Sequence, residues 1–135
     1  MTICTHNRQN LFGHIETDML TLSSAGKIAQ SRWIAMPEHH PHVILDEFVI
    51  MPNHVHLILF LDNDKGQHSS LSRVIASYKS SVTRHIRQVL NQEKLDIWQS
   101  RFHDHIIRNE AELNTLRNYV IHNVELWAED KFYSE

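Results

Sequence analysis

Apolar residues recur along this chain in two periods, and the two periods predict its elements. From Leu71 onward the positions Leu71, Val74, Ile75, Tyr78, Val82, Ile86 and Val89 follow an i, i+3, i+4 stripe. That stripe predicts a helix to about Leu90, capped by Ser69 or Ser70, with Tyr78 in the core. A second helix is predicted over Leu22–Met36, on Leu22, Ala25, Ile28, Ala29, Trp33 and Met36. Gly26 is its weak point, and the stretch from Pro37 to Pro41 ends it. Asn109 followed by Glu112 makes a capping box for a third helix, which carries Leu113, Leu116, Val120 and Val124 and ends near Trp127. The stretches 42–50 and 54–61 are short and β-branched-rich, and read as two strands joined at Met51-Pro52-Asn53. Thr2–Thr5 is β-prone, and 97–99 with 105–107 predict a short strand pair. Asn7–Gly13 reads as a turn with a short extended piece, and Asp62–Gly66 as a loop. The order β, α, β, β, α, short β, α predicts an α+β fold with an antiparallel centre.

Composition narrows the class. A chain of 135 residues, 41% hydrophobic and 21% charged, fits one compact domain over its whole length and argues against disorder. The longest apolar run, Leu57–Leu61, is far too short to cross a bilayer, and the N-terminus carries no signal-peptide pattern. The lone Cys4 can form no internal disulfide. These features predict a cytoplasmic protein without membrane contact. The net charge of −3 disfavours a nucleic-acid binder, but the charge is segregated. Residues 67–108 hold seven bases (Arg73, Lys79, Arg84, Arg87, Lys94, Arg101, Arg108) against three acids, +4, while 1–66 carry −3 and 109–135 carry −4. A polyanion follows such local fields rather than the total. The basic stretch is either a docking surface or an ordinary solvated helix face.

Twelve histidines nearly equal the lysines and arginines together. Two of them, His54 and His56, flank Val55 inside a predicted strand and so share one face, roughly 7 Å apart along the chain. Same-face imidazoles on an apolar strand either converge on a divalent ion or are packed against hydrogen-bond partners. A histidine-triad hydrolase needs a third His where Ile58 stands, a cupin needs glycines the strand lacks, and a barrel metallohydrolase needs about 250 residues. Tyr119 and Asn123 stand at i and i+4 in the last predicted helix. An amide oxygen suits a hard cation, and a phenol is a nucleophile once its target is made more electrophilic. A surface Tyr and Asn in this pattern are also common without any such role.

Taken together these segments resemble a known family. Phe48-Val49-Ile50-Met51-Pro52-Asn53-His54-Val55-His56-Leu57 resembles the strand motif of IS200-like single-tyrosine transposases, of the His–hydrophobic–His class. Thr5-His6-Asn7-Arg8 with Leu11-Phe12-Gly13, then Trp98 to Arg108, then Tyr119-Val120-Ile121-His122-Asn123, resemble the subgroup associated with repetitive extragenic palindromes (REP). The resemblance covers nearly the whole chain in order. It implies a ferredoxin-like domain with helices packed on a central antiparallel sheet. It implies Mg²⁺ or Mn²⁺ held by His54 and His56, with Asn123 where relatives often carry Gln. It implies that Tyr119 attacks a single-stranded DNA phosphodiester, leaving a 5′-phosphotyrosine and a free 3′-OH, at hairpin-bearing targets. Relatives act as monomers or homodimers in prokaryotic cells.

Three functions follow for test. The first is an active strand transferase, with Arg73, Lys79, Arg84, Arg87, Arg101 and Arg108 holding DNA. The second is a domesticated or inactive copy that only grips hairpin or single-stranded DNA. The third, a histidine-rich metal-binding regulator, is disfavoured by the lack of any Cys-x-x-Cys framework.

Overall fold

A computed structural model describes residues 1–62 and 70–127. The predicted loop at 62–66 falls mostly outside that range, as do Ser69, His68 and Tyr133. The sheet is built from β1 (Thr2–Cys4), β4 (Val43–Met51) and β5 (His54–Leu61), in the spatial order β1-β5-β4 and antiparallel throughout. A separate hairpin pairs β2 (Gly13–Glu16) with β3 (Met19–Leu22). The helices are α1 (Ser24–Ile34), the single turn α2 (Met36–His39), α3 (Leu71–Leu90) and α4 (Glu110–Ile121).

The stretch 97–103 does not pair with 105–107 as the sequence suggests. It runs antiparallel along β1, through bridges Thr5–Trp98 and Thr2–His103, with backbone bonds in both directions between Thr2 and His103. The edge of β1 offers unpaired backbone groups there, and they are satisfied first. With this stretch as the fourth line, the order is fourth, first, third, second, which is the ferredoxin-like arrangement.

Side-chain alternation along β5 divides the protein into two faces. Val55 and Leu57, with Ile3 and Ile50 opposite them, face α1 and α3 and form the core with Phe12, Trp33, Val74, Ile75, Tyr78, Val82 and Ile86. His54, His56 and Ile58 face the other way, and α4 lies on that side. A break in register between Leu45 and Phe48 lets Asp46 and Glu47 bulge from β4. Asp46 takes two bonds from the Arg117 guanidinium, at 2.8 and 2.5 Å, and this fork pins α4 to the sheet.

Local chemistry explains where the elements differ from the sequence pattern. The β2–β3 hairpin turns on Thr17 and Asp18, both at positive φ (51° and 59°), the twist a tight two-residue loop requires. No glycine marks it, so the sequence hides it. Helix α1 starts on Ser23, whose hydroxyl accepts from the Gly26 N–H. Gly26 is no weakness: a Cβ there would meet the Phe12 carbonyl oxygen at 2.0 Å, so only glycine allows this approach. Helix α1 ends before Pro37, which sits in the first turn of α2. Ser70 caps α3, and Asn109 caps α4 through the Glu112 N–H. The capping box is half made, because the Glu112 carboxylate turns instead to His105, whose contact holds it below its usual range.

Candidate metal and nucleophile site

The Pro52-Asn53 turn between β4 and β5 sets the site. Met51 pairs directly with His54, so the turn is two residues long. Its carbonyls are clamped from outside: Pro52 accepts from the Phe12 N–H, and Asn53 from both the N–H and hydroxyl of Thr5. Asn53 is thereby buried, with its side-chain Oδ1 2.7 Å from Nδ1 of His54. Two residues on, His56 lies opposite Thr2 of β1, and its Nδ1 is 2.8 Å from the Thr2 hydroxyl. With both Nδ1 atoms held, the two Nε2 atoms converge to 3.0 Å.

Helix α4 brings the remaining groups. The Tyr119 ring meets His56 edge-on, centroids 5.2 Å apart, while 40% of the residue stays exposed. Trp127 stacks on His54, centroids 6.1 Å apart and planes 26° from parallel. Asn123 lies between these two in sequence. It does not share a helix face with Tyr119: α4 ends at Ile121, and Asn123 sits in the turn beyond, its N–H bonded to the Val120 carbonyl. Asn123 is 1% exposed, and its Oδ1 has no hydrogen-bond partner among the described residues.

The donor set fits a hard divalent ion. Two nitrogens 3.0 Å apart match adjacent corners of an octahedron with bonds of about 2.1 Å. A buried amide oxygen without a partner costs about 1–3 kcal/mol unless something is bound there. Imidazoles whose Nδ1 atoms are held by neighbouring polar side chains are the usual form of histidine ligands. The Nε2 pair of His54 and His56 could therefore hold an ion, and the buried Oδ1 of Asn123 is an oxygen available to one.

A cleft of about 800 Å³ opens beside Tyr119 and His56. It runs past the edge of β5, and its polar lining includes His103, Asp104, His105, Arg108 and Glu110. Arg108 is thus the one predicted DNA contact that lines the same cleft as Tyr119 and His56. Arg101 is exposed on the stretch beside β1. Arg73, Lys79, Arg84 and Arg87 belong to α3, on the opposite face of the sheet. Two of them are engaged within the protein: Lys79 Nζ donates to the Gln99 carbonyl and Arg87 Nε to that of Leu95. Partial burial also pushes the Lys79 ammonium below its usual value.

Sequence reasoning missed Thr2, Asn53, Trp127 and Arg117. Asn53 abuts the histidine motif, and that adjacency was the only signal. Thr2 and Arg117 act across 54 and 71 residues of chain, which no local pattern reveals.

Comparisons with known proteins place the chain in a family. The family described as "Transposase IS200 like" matches residues 2–123. An uncharacterized protein of Haemophilus influenzae is 32% identical over 151 aligned positions, covering 98% of this chain and 83% of its own length. A second protein of that organism, provisionally named a REP-associated tyrosine transposase, is 29% identical over 91 positions, covering 64% of this chain and 51% of its own. Among solved structures, a REP-associated tyrosine transposase bound to a REP hairpin superposes with a TM-score of 0.67 at 20% identity. The match covers 90% of this chain but only 62% of that one. Among the described residues, no helix is long and apolar enough to cross a membrane.

Proposed function

Because the chain belongs to the IS200-like transposase family, we propose that it is a metal-dependent single-stranded DNA transposase of the REP-associated subgroup. The observation that carries this reading is the seating of Tyr119 against His56, within one chain, at the mouth of a cleft that also contains Arg108. The phenolic oxygen of Tyr119 attacks a phosphorus of the strand lying in that cleft. An O–P bond forms and the P–O3′ bond breaks, giving a 5′-phosphotyrosine and a free 3′-OH. The exposed phenol gives its proton to water, and the leaving oxygen takes one from water. The covalent link keeps the bond energy, so the 3′-OH of a second strand can rejoin it without ATP. When bound by His54, His56 and Asn123, Mg²⁺ or Mn²⁺ supplies polarisation of a phosphate oxygen, which offsets the weak nucleophilicity of a neutral phenol. Arg108 and Arg101 are the bases placed to hold the reacting strand, and Arg73 and Arg84 are exposed on α3 for more distant phosphates.

The solved relative bound to a REP hairpin makes a hairpin-bearing single strand the substrate to test. In this reading the protein works on DNA in a prokaryotic cytoplasm. Tyr119 in this reading serves the histidine pair of its own chain, whose His56 it meets edge-on. The test is incubation with such an oligonucleotide and Mg²⁺ or Mn²⁺. A covalent protein–DNA adduct is expected from the natural sequence and none from Tyr119→Phe, with hairpin affinity unchanged. Hairpin binding with no adduct under either metal would leave a DNA-binding protein without strand-transfer activity.

A further inference from the structure

We propose that Asn53 and Thr2 are positioning residues with different tasks: Asn53 locks His54 in the ligand tautomer, and Thr2 lets His56 exchange one tautomer for the other. This rests on the metal-binding reading above and adds the means by which the pair stays ready without an ion. The warrant is the hydrogen-bonding capacity of each partner. An amide oxygen only accepts, so a 2.7 Å approach of Asn53 Oδ1 places the proton of His54 on Nδ1 and leaves Nε2 with its lone pair. A hydroxyl both donates and accepts, so Thr2, 2.8 Å from Nδ1 of His56, suits either tautomer of that ring.

The difference matters because the Nε2 atoms are 3.0 Å apart. Two neutral imidazoles at that distance need either a proton or a cation between their lone pairs. Without the cation, His56 carries its proton on Nε2 and donates it to Nε2 of His54, while the Thr2 hydroxyl donates to Nδ1 of His56. With the cation, His56 loses the Nε2 proton to water and takes one from water at Nδ1, where the Thr2 oxygen now accepts it. Both rings stay neutral, and no net proton is released by the pair. The sequence places both helpers next to the sheet: Asn53 in the turn that starts β5, and Thr2 on β1, directly opposite His56. Asn53 and His54 are both fully buried, which keeps water from competing for Nδ1 of His54, whereas Thr2 is half-buried beside the cleft.

The experiment uses the full chain. Histidine ¹⁵N spectra before and after adding Mg²⁺ read the tautomers directly, and Mn²⁺ titration by electron paramagnetic resonance reads affinity without DNA or turnover. Before Mg²⁺, His54 is expected protonated at Nδ1 and His56 at Nε2; afterwards both are protonated at Nδ1. Thr2→Val and Asn53→Leu are expected to weaken Mn²⁺ binding about 10–100-fold. Thr2→Ser and Asn53→Asp, which keep the needed acceptor, are expected within about threefold of the natural sequence. Unchanged Mn²⁺ affinity in folded Thr2→Val and Asn53→Leu overturns the proposal while leaving the metal reading intact. No Mn²⁺ binding by the natural sequence overturns both. If Asn53→Leu fails to fold, the ¹⁵N spectrum of the natural sequence decides, and an Nε2-protonated His54 overturns the proposal.

Discussion

Two tyrosines on opposite faces of one sheet sit in opposite environments. Tyr78, on α3, is fully buried; its hydroxyl donates to the Ala29 carbonyl at 2.8 Å and its ring meets Trp33 edge-on. Burial alone pushes that phenol far above its ordinary pKa, which removes it as a nucleophile. Tyr119, on α4, is 40% exposed and rests against an imidazole whose Nδ1 meets the Thr2 hydroxyl. The residue type is the same, and only the face differs. That division traces to the two-residue period of β5, which sends Val55 and Leu57 one way and His54 and His56 the other.

The largest test of this comparison is to shorten each tyrosine. Tyr78→Ala should cost about 3–5 kcal/mol of stability by denaturant unfolding, whereas Tyr119→Ala should cost less than about 0.5 kcal/mol. Similar losses at both positions would dissolve the contrast between the faces.

Gly26→Ala comes next. Helix propensity predicts a gain of about 1 kcal/mol, while the 2.0 Å clash with the Phe12 carbonyl predicts a loss of about 1–3 kcal/mol. We expect the loss, read as a lower denaturation midpoint. This residue also marks a limit of sequence reading. Periodicity located α3, the β4–β5 pair and the Asn109 cap, because each is a local pattern. It misjudged Gly26, since the reason for that glycine lies in a carbonyl fourteen residues earlier. It missed the β2–β3 hairpin, whose turn has the right dihedrals in Thr17 and Asp18 but lacks the glycine that usually marks such a turn. It paired 97–99 with 105–107 because both look extended, although the unpaired edge of β1 was the partner available.

The candidate site was legible in part for the same reason. His54 and His56 share a face by strand geometry alone, and Tyr119 and Asn123 entered through spacing and a family resemblance. The placement of the basic helix was not legible, because charge along a chain does not say which side of a sheet a helix covers.

The Asp46–Arg117 fork offers a smaller and pH-dependent effect. The hydrogen bonds from Arg117 hold the Asp46 carboxyl below its ordinary range. A carboxyl lowered on folding contributes stability above its unfolded pKa and loses it as pH falls through the folded value. Asp46→Asn should therefore cost about 1 kcal/mol between pH 5 and 7, and the gap to the natural sequence should close below about pH 4. Thermal melts across that range check it, and a gap that widens in acid would assign the fork another role.

The smallest effects separate the basic residues. Arg108→Gln, in the cleft that Tyr119 and His56 line, should weaken hairpin binding and reduce the salt slope by about one. Arg84→Gln, on the far face, should change both less. Equal slopes would mean that the strand wraps across both faces of the sheet.

In the proposed reaction Tyr119 on α4, and not the buried Tyr78, is the group that becomes joined to DNA. Mass spectrometry of peptides from a protein–oligonucleotide adduct, made with Mg²⁺ or Mn²⁺ and a hairpin-bearing strand, tests it most directly. A nucleotide remnant is expected on the peptide containing Tyr119 and on no other. A remnant on Tyr78 or Tyr133, or an adduct that persists in Tyr119→Phe, would contradict it.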